Sequence, residues 1–266
     1  MIDLEKISGL PLLLDLGSFR LHFGEGLPPV EPHIRTLADS RAVLLDPSAE
    51  GPSELYYMYR DIHRRADEEI IRRHGLRYDI TILRPGRVGR EYIKTVGHYH
   101  PKKPGQALSY PEVYEVLYGR AHYLLQKPTD DFRGVQEVIL VEAGPGQKVV
   151  IPPNYGHTTI NPGNLPLVMA NWTADGFASN YTPMQEHRGS AYYEAVEGGE
   201  RTFLPNPRYP MVPALRERVP REIPEFGLMW EKPLYQACLE DPARFRFLTH
   251  PEEFEALWAV EGTWGS

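Results

Sequence analysis

Two stretches of this sequence bring together three histidines and a carboxylate: Gly97-His98-Tyr99-His100, with Glu112 following, and Pro152-Pro153-Asn154-Tyr155-Gly156-His157. In a β-strand, residues two apart face the same side, so His98 and His100 are expected to point together. Three imidazoles and one carboxylate suit a divalent transition metal. The sequence therefore predicts a metal site made of His98, His100, Glu112 and His157, with coordination positions left open for a substrate.

The spacing around these residues adds to the prediction. Six residues lie between Glu112 and Gly119, and five lie between Gly146 and Pro152. This two-part pattern resembles the signature of the cupins, small β-barrels that hold a metal in the barrel mouth. Asn154 stands where the pattern usually has glycine, and asparagine adopts the left-handed backbone conformation more readily than most residues.

The composition indicates a folded protein with no strong charge bias. The chain has 266 residues and a net charge of −7, which argues against a broad nucleic-acid-binding face. Cys238 is the only cysteine, so no internal disulfide can form. The apolar run at residues 10–14 is followed by Asp15 and is too short to span a bilayer. We expect a cytoplasmic protein with no membrane segment and no nucleic-acid partner.

Turn and strand signals divide the chain into three parts. Residues 1–54 are expected to form an N-terminal arm, residues 55–208 a β-barrel with the metal site, and residues 209–266 a partly helical C-terminal extension that packs on the barrel or on a second subunit. Gly119, between two strand-like runs, predicts a β-hairpin, and Gly198-Gly199 predicts another. The fold class is mainly β: a cupin double-stranded β-helix, or jelly-roll barrel, with these two additions.

Flanking motifs are more specific than the general cupin pattern. They resemble the cupin-type phosphoglucose isomerases known from archaea in Pro85–Tyr92, Thr95–His100, Pro111–Tyr114, Leu124–Gln126, Val150–Pro153, His157–Asn161 and Ala174-Asp175. The resemblance implies interconversion of glucose 6-phosphate and fructose 6-phosphate, one divalent transition metal per chain, and a homodimer. Fe²⁺ is the expected ion, with Zn²⁺, Ni²⁺ or Mn²⁺ as alternatives.

The resemblance also implies roles for individual residues. Glu112 is the expected general base that moves a proton between C1 and C2 of the open-chain sugar. Because a bound cation weakens a carboxylate as a base, a hydride shift is the competing route. Tyr114 faces the same side as Glu112 and is expected to position a substrate oxygen or relay a proton. The phosphate is expected at four hydroxyls and one glycine amide: Thr81, Thr95, Gly97, Tyr56 and Tyr181.

The segment after Asp175 departs from the family pattern. That pattern has Ala-Gly-His-Asp-Tyr, whereas this chain has Gly176-Phe177-Ala178-Ser179-Asn180-Tyr181, with one more residue and no histidine. Ser179 or Asn180 is then the candidate for the missing phosphate donor, and the identity of the sugar stays open.

The same ligand set allows two other functions. A cupin oxygenase would use the metal to activate dioxygen on a different substrate. A non-catalytic cupin would bind a sugar phosphate without converting it. Consumption of oxygen would identify the first, and binding without turnover would identify the second.

Overall fold

The computed structural model describes residues 1–258 and 263–265, so residues 259–262 and 266 of the predicted C-terminal extension lie outside the described range. The strands are β1 (Ile2–Asp3), β2 (Leu12–Asp15), β3 (Arg20–Phe23), β4 (His33–Thr36), β5 (Glu54–Tyr59), β6 (Leu76–Leu83), β7 (Arg87–Val88), β8 (Glu91–Tyr92), β9 (His98–Tyr99), β10 (Glu112–Tyr118), β11 (Ala121–Pro128), β12 (Val135–Ala143), β13 (Lys148–Ile151), β14 (Gly156–Ile160), β15 (Leu167–Ala174), β16 (Tyr192–Glu197), β17 (Glu200–Pro205) and β18 (Leu215–Arg218).

The helices are short and lie mostly near the two ends of the chain. The α-helices are α1 (Glu5–Ser8), α2 (Leu37–Ser40), α3 (Glu68–Arg73), α4 (Thr182–Glu186) and α5 (Leu234–Glu240). The 3₁₀ helices are Arg41–Val43, Arg65–Asp67, Pro224–Phe226, Pro242–Leu248 and Pro251–Trp258. Within the described ranges, none of these helices has the length and apolar character needed to cross a lipid bilayer.

Two sheets form the expected barrel. Sheet A has the strand order β13-β10-β15-β6-β5-β4, and sheet B has the order β18-β12-β11-β14-β9. Strand pairs within them are antiparallel except for β12 and β18. Side chains from both sheets form one buried cluster between them, which includes Tyr114, Val116, Tyr123, Leu125 and Met169. The predicted mainly β class is confirmed.

Sheet A is buried on both faces. Along β6, Tyr78, Ile80 and Ile82 face outward, whereas Leu83 faces the barrel interior. Successive side chains of a strand point to opposite faces. In β6 the outward-facing apolar residues therefore alternate with Arg77, Asp79 and Thr81, so the inner face of this strand is partly polar.

The C-terminal extension covers the outer face of sheet A. Tyr235 of α5 stacks on Trp172 at a ring-centroid distance of 5.8 Å and meets Tyr78 edge-on at 5.1 Å. The Trp172 indole Nε1–H donates to the Leu234 carbonyl at 3.1 Å. Of the two placements that the sequence left open, the described residues of the extension adopt the one on the barrel.

The first part of the chain reaches both faces of the barrel. Strands β1, β2 and β3 form a separate small sheet, whose buried leucines join the same outer cluster. Strand β4 instead pairs with β5 at the edge of sheet A. The arm predicted for residues 1–54 therefore contains a strand of the barrel sheet, while its boundary stays a prediction.

The prediction of a β-hairpin across Gly119 is wrong. Strand β10 pairs with β13 and β15 in sheet A, whereas β11 pairs with β12 and β14 in sheet B. The turn is a corner between sheets. Gly119 has a φ of 82°, and a Cβ there would lie 2.5 Å from the Pro166 carbonyl oxygen. Hairpins and corners both use glycine at positive φ, so the local sequence does not distinguish them. The hairpin across Gly198-Gly199 is confirmed by β16 and β17.

A buried ion pair connects sheet A to the extension. Lys148 Nζ lies 2.8 Å from Glu115 Oε1, and both side chains are about 1% exposed. Lys148 also donates to the Gly146 and Lys232 carbonyls, at 2.8 and 2.7 Å. The Leu234 amide donates to the second Glu115 oxygen at 2.8 Å. Burial raises the pKa of Glu115 to about 7, although Lys148 acts in the opposite direction.

Replacing Lys148 with methionine leaves the buried Glu115 carboxyl without its cation. Its folded-state pKa then rises above about 7, while the unfolded chain keeps the ordinary value of 4.5. The folded state therefore favours the protonated carboxyl. The stability that this carboxyl contributes below pH 4.5 is lost as the pH rises through 7. We expect Lys148→Met to lose about 3–5 kcal/mol of unfolding free energy at pH 8 and less at pH 5, measured by urea unfolding.

The matched control is Arg133→Met, which removes one positive charge from a side chain that is 86% exposed. Its expected change is within about 0.5 kcal/mol at both pH values. An equal loss for Lys148→Met at pH 5 and pH 8 would contradict the assignment of the buried pair.

Candidate metal centre

Three strands bring the predicted ligands together. Strand β9 pairs with β14 so that His98 lies directly opposite His157. His100 follows two residues after His98 and shares its side of the strand. Glu112 is the first residue of β10 in the facing sheet. The four ligands thus come from both sheets at one end of the barrel, which no single stretch of sequence could provide.

The ligand atoms of these four residues lie within 4.8 Å of one another. His98 Nε2 and His100 Nε2 are 3.1 Å apart, and Glu112 Oε2 is 3.2 Å from His157 Nε2 and 3.6 Å from His100 Nε2. Two nitrogens that each bind one ion at about 2.1 Å are themselves about 3 to 3.4 Å apart. The geometry therefore suits one shared ion.

The hydrogen bonding of the cluster points the same way. Glu112 Oε2 is buried and has no hydrogen-bond donor among the described residues. A buried carboxylate oxygen without a partner is costly and needs an explanation. A cation held between this oxygen and the three imidazoles provides one. The donor set of three nitrogens and one oxygen is typical of sites for divalent transition metals.

The protonation states of the cluster favour the binding of a cation. Burial, followed by the neighbouring His157 and His100, lowers the pKa of His98 well below its ordinary value. Burial also lowers the pKa of His100 to about 4, against the effect of Glu112. Burial alone would raise the pKa of Glu112, but the neighbouring His157 and His100 side chains lower it. At neutral pH, the imidazoles of His98 and His100 are neutral and Glu112 is an anion.

Neighbouring groups orient the ligands. Asn171 Nδ2 donates to Glu112 Oε1 at 2.6 Å, which leaves Oε2 for the ion. His100 Nδ1 lies 2.9 Å from the Tyr110 carbonyl oxygen, so its Nε2 is the nitrogen that faces the cluster. Such contacts fix the tautomer and direction of a metal ligand. Tyr114 Oη lies 3.2 Å from His157 Nε2 and so borders the cluster directly.

A pocket opens beside this cluster. Its walls include every substrate-binding residue predicted from the sequence: Tyr56, Thr81, Thr95, Gly97 and Tyr181. Val96 N–H donates to the Tyr56 hydroxyl at 3.2 Å, and Thr159 N–H donates to Thr95 Oγ1 at 3.0 Å. The structure therefore brings these residues together beside the four ligands.

Gly97 has a backbone reason to be glycine. Its φ is 77°, and a Cβ there would lie 2.2 Å from Thr158 Oγ1. Its amide N–H makes no hydrogen bond within the described part of the chain. An amide donor that makes no other hydrogen bond, on a loop with positive φ, is suited to bind an anion.

The segment that lacks the expected histidine places only one of its two candidates in the pocket. Ser179 lines the pocket, whereas the Asn180 backbone pairs with Tyr99, and Asn180 lines a neighbouring cavity. Phe177 stacks on Tyr110 at 4.9 Å with the rings 3° from parallel, and it lies 4.7 Å from the His100 ring. The longer segment thus adds an aromatic cover beside the cluster.

Sequence reasoning missed several residues of the pocket wall. Arg60, Arg77, Asn171 and Thr173 line it, and Arg60 and Arg77 both bind the buried Asp79 carboxylate. Asn171 and Thr173 lie next to Tyr114 and Glu112 in register. The sequence contains a signal for these wall residues, because polar residues on alternate positions of a mostly apolar strand indicate a polar inner face.

Removing one ligand is expected to release the metal. His98→Ala should lower affinity for Fe²⁺, Zn²⁺ or Mn²⁺ by at least about 100-fold, because even loss of a residue that orients a ligand costs about 10–100-fold. Metal content after dialysis, measured by mass spectrometry, gives the result. The control is His33→Ala on β4, an exposed histidine. Equal metal content in both variants would argue against this centre.

Comparisons with known proteins agree with the geometry. The family model described as "Glucose-6-phosphate isomerase (GPI)" matches residues 34–208. The glucose-6-phosphate isomerase of Thermococcus gammatolerans is 34% identical over 190 residues, which are 69% of this chain and 90% of the relative. The one of Pyrococcus abyssi is 32% identical over 199 residues, which are 71% and 95%.

Among solved structures, an oxalate decarboxylase of Lactobacillus farciminis in a formate complex aligns with a TM-score of 0.36 and 16% identity, over 57% of this chain and 32% of that one. The family model covers both sheets of the barrel except β18 and leaves the C-terminal extension outside. On the extent of the family and sequence matches, this chain belongs to the cupin-type glucose-6-phosphate isomerase family.

Proposed function

We propose that this protein is a metal-dependent isomerase that interconverts glucose 6-phosphate and fructose 6-phosphate. The observation that carries the proposal is the position of the four-ligand cluster in the wall of a pocket whose other walls carry hydroxyls and a free glycine amide. One end of such a pocket suits the C1 and C2 oxygens of an open-chain sugar, and the other suits a phosphate. Family membership supports the same substrate pair.

His98, His100, Glu112 and His157 would hold the ion, with Fe²⁺ as the expected metal and Zn²⁺, Ni²⁺ or Mn²⁺ as alternatives. When bound, a divalent ion supplies Lewis-acid polarisation of the substrate carbonyl. The orphaned Glu112 Oε2 and the close imidazole nitrogens support this occupancy.

Tyr114 is suited to donate a hydrogen bond to the reacting oxygens. Burial, followed by the nearby Glu112, raises its pKa well above the ordinary value, so the phenol stays protonated. Its hydroxyl lies 3.2 Å from His157 Nε2. Once that nitrogen serves as a ligand, the Tyr114 hydroxyl is free to donate to a substrate oxygen. A donor aimed at developing negative charge lowers the barrier.

Glu112 is the proposed base. Its carboxylate takes the proton from C2 of the aldose and returns it to C1, while the O2 hydroxyl proton passes to O1, so that the carbonyl moves from C1 to C2 without an external oxidant. Its lowered pKa makes it a weak base, which keeps a hydride shift from C2 to C1 as the competing route.

The remaining expectations follow from the same proposal. An oxygenase and a non-catalytic sugar-phosphate binder use the same ligands, but neither gains support from the relatives, which carry the name of an isomerase. A homodimer and a cytoplasmic location stay predictions. Sedimentation at several protein concentrations tests the first.

Activity should depend on both the ion and Tyr114. Treatment with a chelator is expected to abolish conversion of fructose 6-phosphate, and adding back single metals should restore it. Tyr114→Phe removes one donor and should lower kcat by about 100-fold without loss of bound metal. Tyr118→Phe, on the same strand but packed on the outer cluster, is the control. Full activity of the metal-free protein would refute metal dependence.

An isotope experiment separates the two hydrogen-transfer routes. In heavy water, a proton carried by Glu112 exchanges with solvent, so fructose 6-phosphate formed from glucose 6-phosphate should carry deuterium at C1. A direct hydride shift retains the original hydrogen. Proton magnetic resonance of the product at low conversion gives the answer, and deuterium at C1 would reject the direct hydride shift.

A further inference from the structure

Arg35 lies beside the pocket although it precedes the predicted barrel. Strand β4 pairs with β5 so that Arg35 lies opposite Tyr56 and Ile34 lies opposite Tyr57. Tyr57 and Ile34 belong to the outer cluster, whereas Tyr56 belongs to the inner one and lines the pocket. Because side chains alternate along a strand, Arg35 is on the pocket side of sheet A.

The Arg35 guanidinium contacts an aromatic ring but forms no ion pair within the described residues. Its central carbon lies 5.7 Å above the ring of Tyr181, a pocket residue from a different segment. Its Nε is buried and has no acceptor within the described residues. Nor does any carboxylate in the described ranges lie within ion-pair distance of it. The nearby Asp39 is instead bonded to Thr36 in the cap of α2.

The other cations around the pocket are already paired. Arg60 and Arg77 share the Asp79 carboxylate. Lys94, whose neighbour Thr95 lines the pocket, forms a buried ion pair with Glu91. Among the described cations close to the pocket, Arg35 is therefore the one that forms no ion pair with a carboxylate.

The surroundings of Arg35 supply donors for an anion. Burial raises the pKa of Tyr56 to about 12 despite the opposing effect of Arg35, so this phenol stays protonated. Val96 N–H bonds to the Tyr56 hydroxyl, which places the following Gly97 amide close by. Thr81, opposite Met58 in the register of β5 and β6, lines the same part of the pocket.

We propose that Arg35 binds the phosphate of the substrate, together with Gly97 and the hydroxyls of Thr81 and Tyr181. This proposal rests on the proposed function and deepens it, because it makes a dianionic group a requirement for tight binding. A guanidinium presents paired N–H donors that match phosphate oxygens, and charge-assisted bonds of this kind are the strong ones. The buried Nε would then have its acceptor.

The test compares Arg35→Gln with Arg35→Lys and with the exposed control Arg133→Gln. For fructose 6-phosphate, Arg35→Gln should raise KM by about 10–100-fold, the range for loss of a hydrogen bond to a charged group, and change kcat little. Arg35→Lys should recover part of the loss. Turnover of fructose, which has no phosphate, should be the same in all three variants and the wild type. Unchanged KM in Arg35→Gln would overturn the proposal.

Binding of inorganic phosphate separates this proposal from the proposed function. Calorimetric titration of the wild type needs no turnover, and Arg35→Gln should bind phosphate about 10–100-fold more weakly. A wild type that binds phosphate through Arg35 but converts no sugar would refute only the isomerase. An active wild type with equal phosphate affinity in Arg35→Gln would refute only the role of Arg35.

A measurement on the unmodified chain covers the case in which the variants do not fold. Phenylglyoxal modifies accessible guanidinium groups, and mass spectrometry locates the modified residues. Inorganic phosphate should protect Arg35 and leave Arg133 as reactive as before. Equal reactivity of Arg35 with and without phosphate would reject the proposal.

Discussion

The pairing of β9 with β14 is the constraint on which the site depends. It sets His98 opposite His157 across neighbouring strands of sheet B, and two-residue alternation brings His100 to the same side. The sheets then only have to face each other for Glu112, at the start of β10, to close the set. A shift of one residue in this register would turn the imidazoles to the other face of the sheet.

Burial on both faces gives sheet A the rigidity that this arrangement needs. The inner face packs against sheet B, and the outer face packs against α5, the following 3₁₀ helices and the small N-terminal sheet. The Glu115–Lys148 pair joins β10 and β13 to the extension through three hydrogen bonds to its backbone groups. Since β10 also carries Glu112, packing of the extension on the outer face of sheet A supports the position of Glu112 on the inner face.

Charge is distributed unevenly around the pocket. The cluster combines the Glu112 anion with the neutral imidazoles of His98 and His100 and so attracts a cation. Arg60 and Arg77 pair with the buried Asp79, and Arg77 pairs with Asp175 as well, whereas Arg35 forms no ion pair among the described residues. A pocket with a candidate cation site in one wall and the guanidinium of Arg35 beside it suits a neutral sugar that carries an anionic group.

The sequence by itself determined the candidate ligands, the strand character and the mainly β class, because these depend on residue type and spacing within short stretches. His98 and His100 are two residues apart, and the left-handed Asn154, with a φ of 67°, was predicted at a turn. Long-range pairing lies beyond local patterns. Only the tertiary structure decided that the turn at Gly119 is a corner rather than a hairpin, and that Asn180 pairs with Tyr99 while Ser179 enters the pocket. It also decided that Arg35 lies beside the pocket, since the register between β4 and β5 places Ile34 against the outer cluster and Arg35 on the opposite face.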